Sequence, residues 1–125
     1  ATPERFEGVR LDAEWPEEVL KARPLDPYSA LCAITHDPKI DDYPLKAALD
    51  AKCFYVGALG SRKTHGSRVE RLLADGVSQD AIDMIAAPIG LDIGASSPAE
   101  IAVAILAQVI EAFRKREISA RMAVV

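Results

Sequence analysis

A chain of 125 residues and 13.5 kDa is long enough for one ordinary domain and too short for two. Lys plus Arg number 15 and Asp plus Glu 19, and a formal net charge of −4 lacks the basic footprint that general nucleic-acid binding needs. With 50% hydrophobic and 27% charged residues the composition is that of a globular domain and excludes a disordered chain. Cys32 and Cys53 lie in apolar runs without C-x-x-C spacing, which argues against a disulfide framework or a zinc site and suits a reducing cytosol. Residues 1–20 carry neither a basic start nor an apolar run of signal-peptide length, and no stretch approaches about 18 consecutive apolar residues. The expectation is a soluble, cytoplasmic protein with no membrane segment.

In chain order, residues 5–12 (RFEGVRLD) read as a weak strand and 16–23 as a short helix, after which Pro24 and Pro27 punctuate a turn. Residues 28–35 (YSALCAIT) are nearly continuously apolar, which predicts a strand buried on both faces, as in a parallel sheet. Asp41-Asp42-Tyr43-Pro44 predicts a helix start, followed by an apolar face of Leu45, Ala48 and Leu49. Residues 53–59 (CFYVGAL) predict a second buried strand running into a glycine-containing loop. A helix follows over 63–74, with Val69, Leu72 and Leu73 inward, Arg68, Glu70 and Arg71 outward, and a stop at Gly76. Residues 78–85 predict another short helix, and APIGLDIGASS a third apolar segment with two glycines. Ser97-Pro98-Ala99-Glu100 is a capping box with Pro at the first helical position. The helix it opens is expected to reach about residue 116. Ile101, Ile105, Val109 and Phe113 form its stripe, Ala102, Leu106 and Ile110 widen it, and the all-apolar stretch 101–107 predicts cover on more than one side. The domain therefore spans 1–116, with a tail at 117–125. Buried strands alternating with amphipathic helices mean an α/β fold, a mostly parallel sheet with helices on both faces.

Ligands of such sheets sit beyond the carboxyl ends of the strands. Three segments bring polar groups there. After the first strand, His36-Asp37 offers a proton-transfer group beside an orienting carboxylate, the plainer alternative being a turn built by Asp37 before Pro38. After the second, Gly57, Gly60, Ser61 and Arg62 combine close backbone approach, free helix-start amides and positive charge, to which Lys63 and Arg68 add, and this suits a phosphate or carboxylate. This is neither G-x-G-x-x-G nor a P-loop, so it specifies no dinucleotide or nucleoside triphosphate, and an ordinary strand-to-helix turn stays open. His65, four residues before Val69, reads as a packing histidine. The third segment places Asp92 between Gly90 and Gly94, either as a backbone that passes close to a ligand or as a tight connection. Cys32 and Cys53 read as small buried hydrophobes. Trp15 and the tyrosines form no stacking pattern, and His36 and His65 make no metal site.

Together, THDP at 35–38, GALGSR at 57–62 with Thr64-His65, PIGLDIGA at 88–95 and SPAEIAVAILA at 97–107 resemble one family. It is the XdhC/CoxI-like family of xanthine dehydrogenase accessory or maturation factors, in particular their C-terminal Rossmann-like domain, over residues 2–112. The resemblance implies a Rossmann-like, mostly parallel sheet. It also implies a chaperone's role rather than a catalyst's: binding the molybdenum cofactor (molybdopterin), holding it for sulfuration by a cysteine desulfurase, and passing it to a molybdenum hydroxylase client. On that reading His36, Asp37, Gly57, Gly60, Ser61, Arg62, Asp92 and Gly94 form the cofactor site. Ser61 and Arg62 hold the anionic end, while Asp37 and Asp92 accept hydrogen bonds from pterin or ribose donors. The chain departs from the family in one respect, since Thr2-Pro3-Glu4-Arg5-Phe6 resembles the segment after the second strand and the opening β-α-β unit with its glycine-rich turn is absent from residues 1–125. An uncovered strand edge at 28–34 would then favour a homo-oligomer. Two alternatives are an NAD(P)- or nucleotide-binding oxidoreductase, which needs a phosphate-binding turn after the first strand, and a ligand-free dimerisation domain.

Overall fold

The computed structural model describes residues 7–35 and 37–124. The elements follow as α1 (Pro16–Ala22), β1 (Ala30–Ala33), α2 (Pro38–Asp50), β2 (Tyr55–Ala58), α3 (Arg62–Ala74), α4 (Gln79–Ile82) and α5 (Pro98–Val124). β1 and β2 pair in parallel, with Ala30 opposite Tyr55 and Ala33 opposite Ala58. The chain at 86–89 runs along the other side of β2. Ala86 N donates to the Val56 carbonyl, Ala58 N to the Ala86 carbonyl and Ile89 N to the Ala58 carbonyl, at 2.8, 3.0 and 3.1 Å. This is the third apolar segment, and it joins the sheet as one isolated parallel bridge, Gly57 to Ala86, rather than as a strand.

The sheet has two different faces because side chains alternate along a strand. Val56 and Ala58 point into a core with Ala33, Leu45, Ala48, Leu72, Val77, Ile82 and Ile85, supplied by β1, α2, α3, α4 and the connections flanking α4. Leu45, Leu72 and Ile82 are its largest fully buried side chains, each contributing about 1.5–3 kcal/mol by leaving water. Tyr55 and Gly57 face the other way, toward α5 and Ile89. Tyr55 Oη donates to Gln108 Oε1 at 2.6 Å, and Phe54 meets Phe113 edge to face, 5.5 Å between centroids. Helices therefore cover both faces of β2, giving the α/β, Rossmann-like arrangement expected.

Several local expectations need correction. A weak strand is predicted over 5–12; residues 5 and 6 lie outside the described residues, and 7–13 form turns and irregular chain, where Gly8 takes φ +81° and Asp12 is tied to Arg23 by a 2.6 Å ion pair. α2 begins at Pro38, not at 41–44. Asp37 caps it by accepting from Lys39 N at 3.0 Å, and the buried Pro44 lies within the helix. β1 is shorter than 28–35 and is not buried on both faces: Ala30 and Cys32 are exposed, because α5 lies across β2 and leaves that face of β1 open. Cys32 is thus an exposed thiol and Cys53 a half-buried one, and partial burial pushes both thiols up. On α3, Arg68 is buried and Leu73 is exposed, the reverse of their predicted positions. α4 is shorter than 78–85, with Ser78 as its cap. α5 continues to Val124, through the predicted tail. Its Val103, Leu106 and Ile110 are 62%, 60% and 52% exposed, so the described residues cover only one side of the apolar stretch.

Candidate functional site

The carboxyl ends of β1, β2 and the 86–89 segment meet at one edge. Leu59 N donates to the Ala33 carbonyl at 2.9 Å, which fixes the exits of β1 and β2 side by side. Three helices begin just beyond that edge, after Asp37, Ser61 and Ser97. Each helix start leaves backbone amides without helical partners and carries a partial positive charge.

The first exit is locked by carboxylates. Asp41, 3% exposed, accepts from Thr35 N at 3.2 Å and from Thr35 Oγ1 at 2.9 Å. Thr35 Oγ1 accepts from Asp37 N in turn, at 3.0 Å. The Asp37 carboxylate is engaged as the α2 cap, so its position supports the turn-forming alternative. His36 lies outside the described residues.

The second exit is the opposite in sign. Gly60 takes φ +142°, a left-handed-side conformation that only glycine adopts without strain, and a Cβ there would lie 3.1 Å from Thr64 Cγ2. Ser61 Oγ caps α3 by accepting from Thr64 N at 3.2 Å. No acid occupies the first turn of α3, whereas Asp41 occupies that of α2 and Glu100 that of α5. Arg62 and Lys63 project from the same turn, both exposed. Beneath it, Arg68 Nη2 donates to the Leu59 carbonyl at 3.0 Å, and Nη1 lies 3.2 Å from His65 Nδ1. Burial, and then the neighbouring Arg68, hold the His65 imidazole below its usual value, which keeps it neutral and able to accept. Gly57 plays a different part from the other loop glycines: it is buried inside β2, and a Cβ there would meet Ile89 Cγ1 and Tyr55 Oη at 2.6 Å. The structure places it in packing contact with those two side chains.

The third exit runs from Gly90 along α5. Gly90 N donates to Gln108 Oε1 at 2.9 Å, and Leu91 N to the Ala104 carbonyl at 3.1 Å. A Cβ at Gly90 would lie 3.3 Å from Ala104 Cβ. Tyr55 Oη shares the same Gln108 oxygen, and desolvation in this seam pushes the phenol up to about 12. Asp92 and Gly94 are exposed beyond it, and among the described residues no hydrogen bond links either to the 57–62 loop. The capping box forms as predicted: Ser97 Oγ accepts from Glu100 N at 3.1 Å, and Glu100 Oε1 accepts from the amides of Ser96 and Ser97 at 2.9 and 3.3 Å. Those two amides hold the Glu100 carboxyl below its ordinary value.

The structure therefore gathers Asp37, Gly60, Ser61 and Arg62 at one edge, assigns Gly57 to the interior, and sets Asp92 and Gly94 further out along α5. Sequence reasoning counted Arg68 among the cations of the second exit but on the solvent face, and read Asp41 only as part of a helix start; the structure buries both, the two buried charges of the described chain. Helical spacing carried the signal. Asp41 lies four residues before Leu45 and seven before Ala48, and Arg68 four before Leu72, which puts both on the core-facing stripe. No helix among the described residues is long and apolar enough to cross a membrane.

Comparison with known proteins agrees with this architecture. A molybdenum cofactor insertion chaperone, PaoD, of Escherichia coli is 36% identical over 85 residues, which is 68% of this chain and 27% of PaoD. A protein of Bacillus subtilis described as a probable xanthine dehydrogenase component is 32% identical over 107 residues, 86% of this chain and 30% of that protein. Among solved structures, one described as a xanthine dehydrogenase from Bacillus halodurans superposes with a TM-score of 0.65 at 32% identity, covering 82% of this chain and 29% of the other. The chain thus spans less than a third of the length of these relatives. The family described as the XdhC Rossmann domain matches residues 1–109, and to that family this chain belongs.

Proposed function

We propose that the chain is part of a molybdenum-cofactor-binding accessory protein that aids cofactor insertion into a xanthine dehydrogenase-type molybdenum hydroxylase. The observation that carries the reading is the sign of the three helix starts: α3 alone offers a glycine loop, a start free of acids and three nearby cations, Arg62, Lys63 and Arg68. That donor set fits the phosphate end of molybdopterin. When bound, the cofactor brings the molybdenum chemistry its client requires. This chain's residues would only hold and orient it. Ser61, Arg62 and the Gly60 backbone would hold the anionic end, while His36, Asp37, Asp92 and Gly94 remain candidates for the pterin side. The likeness to PaoD, an insertion chaperone, supports the same reading. The partners it implies are the client hydroxylase and a cysteine desulfurase.

An NAD(P)-dependent oxidoreductase is the second reading; it needs a glycine-rich phosphate-binding turn after the first strand of the fold, which residues 1–125 do not contain. Self-association is part of the proposal. It is favoured by the exposed Val103, Leu106 and Ile110 of α5 and by the edge of β1, which pairs with no other strand among the described residues. Light scattering at micromolar concentration is expected to give a dimer or larger species, and a monodisperse monomer would remove this part.

Arg62 and Lys63 test the site directly. Arg62 follows the loop and can grip a phosphate with two parallel hydrogen bonds, whereas Lys63 acts as a point charge. Arg62→Ala should weaken molybdopterin binding by about 1.5–3 kcal/mol and Lys63→Ala by less. Equal affinities at fixed salt would defeat the assignment.

A further inference from the structure

Arg68 is the only positively charged side chain that the described residues bury, at 2% exposure, and its Nε has no hydrogen-bond partner. Its two other nitrogens meet neutral atoms, the Leu59 carbonyl oxygen and His65 Nδ1. The nearest carboxylates act on it through space and are committed elsewhere. Asp41 is bonded to Thr35, and Asp42 to Arg71 at 2.6 and 3.2 Å. Burying a cation without a bonded counter-charge is costly, and replacing such a group by an apolar one of similar size is often neutral or stabilising. A fold that keeps it therefore gains something other than stability. Position indicates what. A Cβ on Gly60 would lie 3.6 Å from Arg68 Nη2, so the guanidinium sits directly under the loop that opens α3. From above, the α3 amides add their own partial positive charge at the same place.

We propose that Arg68 is the buried half of a phosphate site at the start of α3, its charge compensated when a phosphate dianion binds the loop. This rests on the reading of that loop as the cofactor's anionic seat and adds the buried cation that a phosphate dianion, either free or at the end of a larger molecule, would compensate. His65 is the positioning residue: its neutral ring, accepting from Nη1, holds the guanidinium against the loop without neutralising it.

The test is the melting temperature of the full chain in sodium phosphate, in AMP and in sodium chloride at equal ionic strength. The wild-type chain should melt higher in phosphate or AMP than in chloride. A larger rise with AMP identifies the end of a larger molecule as the ligand, and a larger rise with phosphate identifies the free ion. Arg68→Met should melt in chloride at or near the wild-type temperature and lose the phosphate-dependent rise, its affinity falling about tenfold or more. Arg68→Lys, which keeps the charge, should retain a reduced rise, so the comparison survives even if the methionine variant fails to fold. A rise in Arg68→Met equal to that of wild type, a Lys variant with no rise at all, or no rise in the wild-type chain overturns the proposal. Molybdopterin affinity measured on the same variants tests the cofactor reading separately: a wild-type chain that responds to phosphate and ignores molybdopterin keeps the phosphate site and discards the cofactor.

Discussion

Replacing Gly57 by alanine separates a packing role from a ligand-contact role at a residue where the sequence alone suggests the latter. The new Cβ would lie 2.6 Å from Ile89 Cγ1 and from Tyr55 Oη and 2.7 Å from Ile89 Cδ1, where ordinary contact begins at 3.4 Å, an overlap of 3.4 − 2.6 = 0.8 Å. Ile89 cannot simply retreat, because its amide is bonded to the Ala58 carbonyl at 3.1 Å. Moving the Tyr55 ring loosens its bond to Gln108, which also anchors Gly90. Overpacking costs about 1–3 kcal/mol and one weakened buried hydrogen bond about 1 kcal/mol. The sum is about 2–4 kcal/mol, and at roughly 2 cal/mol/K of unfolding entropy per residue that lowers the melting temperature of a chain this size by about 8–15 °C. Thermal melts by circular dichroism measure it. Tyr55→Phe removes one of the clashing atoms, so the double variant should lose less than the two single losses added. A Gly57→Ala chain that melts within a degree or so of wild type would refute the packing argument. If that same chain bound molybdopterin poorly, Gly57 would be a ligand contact after all.

Ser97→Ala removes the acceptor for Glu100 N and should cost about 1 kcal/mol in urea unfolding, while exposed Asp92→Asn should cost almost nothing there and weaken ligand binding. An Asp92→Asn chain that unfolds readily yet keeps its affinity would make Asp92 a turn residue. The pH dependence has a definite sign. Glu100 is held below 4.5 in the folded chain, so the unfolded chain binds the extra proton first, and stability falls as pH drops from about 4.5 through the folded value. Glu100→Gln should flatten that fall in urea midpoints measured across the acid range, and parallel curves for the two chains would contradict it.

Much of the fold was legible because its signals are local. Ser97-Pro98-Ala99-Glu100 placed the α5 start to the residue, since the capping box is a bonding pattern that four consecutive residues complete by themselves. The apolar run before Gly60 likewise located β2. Other features depend on partners remote in sequence. The α2 start went to Asp37 rather than to Asp41-Asp42 because Thr35 draws Asp41 inward, leaving Asp37 free to cap. Cys32 reads as buried from its apolar neighbours, yet its exposure is decided by where α5 crosses the sheet. In the candidate site, Gly60, Ser61 and Arg62 were legible from the loop's composition. Arg68 was legible as one of the loop's cations but not as a buried one, because a charged residue on a helix reads as solvent-facing until the spacing to Leu72 is weighed against that habit.

Recognition of molybdopterin by this chain is the central claim, and anaerobic equilibrium dialysis measures it most directly. Molybdopterin, NADPH and AMP are dialysed separately against the wild-type chain at the same ionic strength. Molybdopterin should be retained at least about tenfold more tightly than either nucleotide, a difference of roughly 1.4 kcal/mol. NADPH bound as tightly as molybdopterin, or no retention of molybdopterin at all, would contradict it.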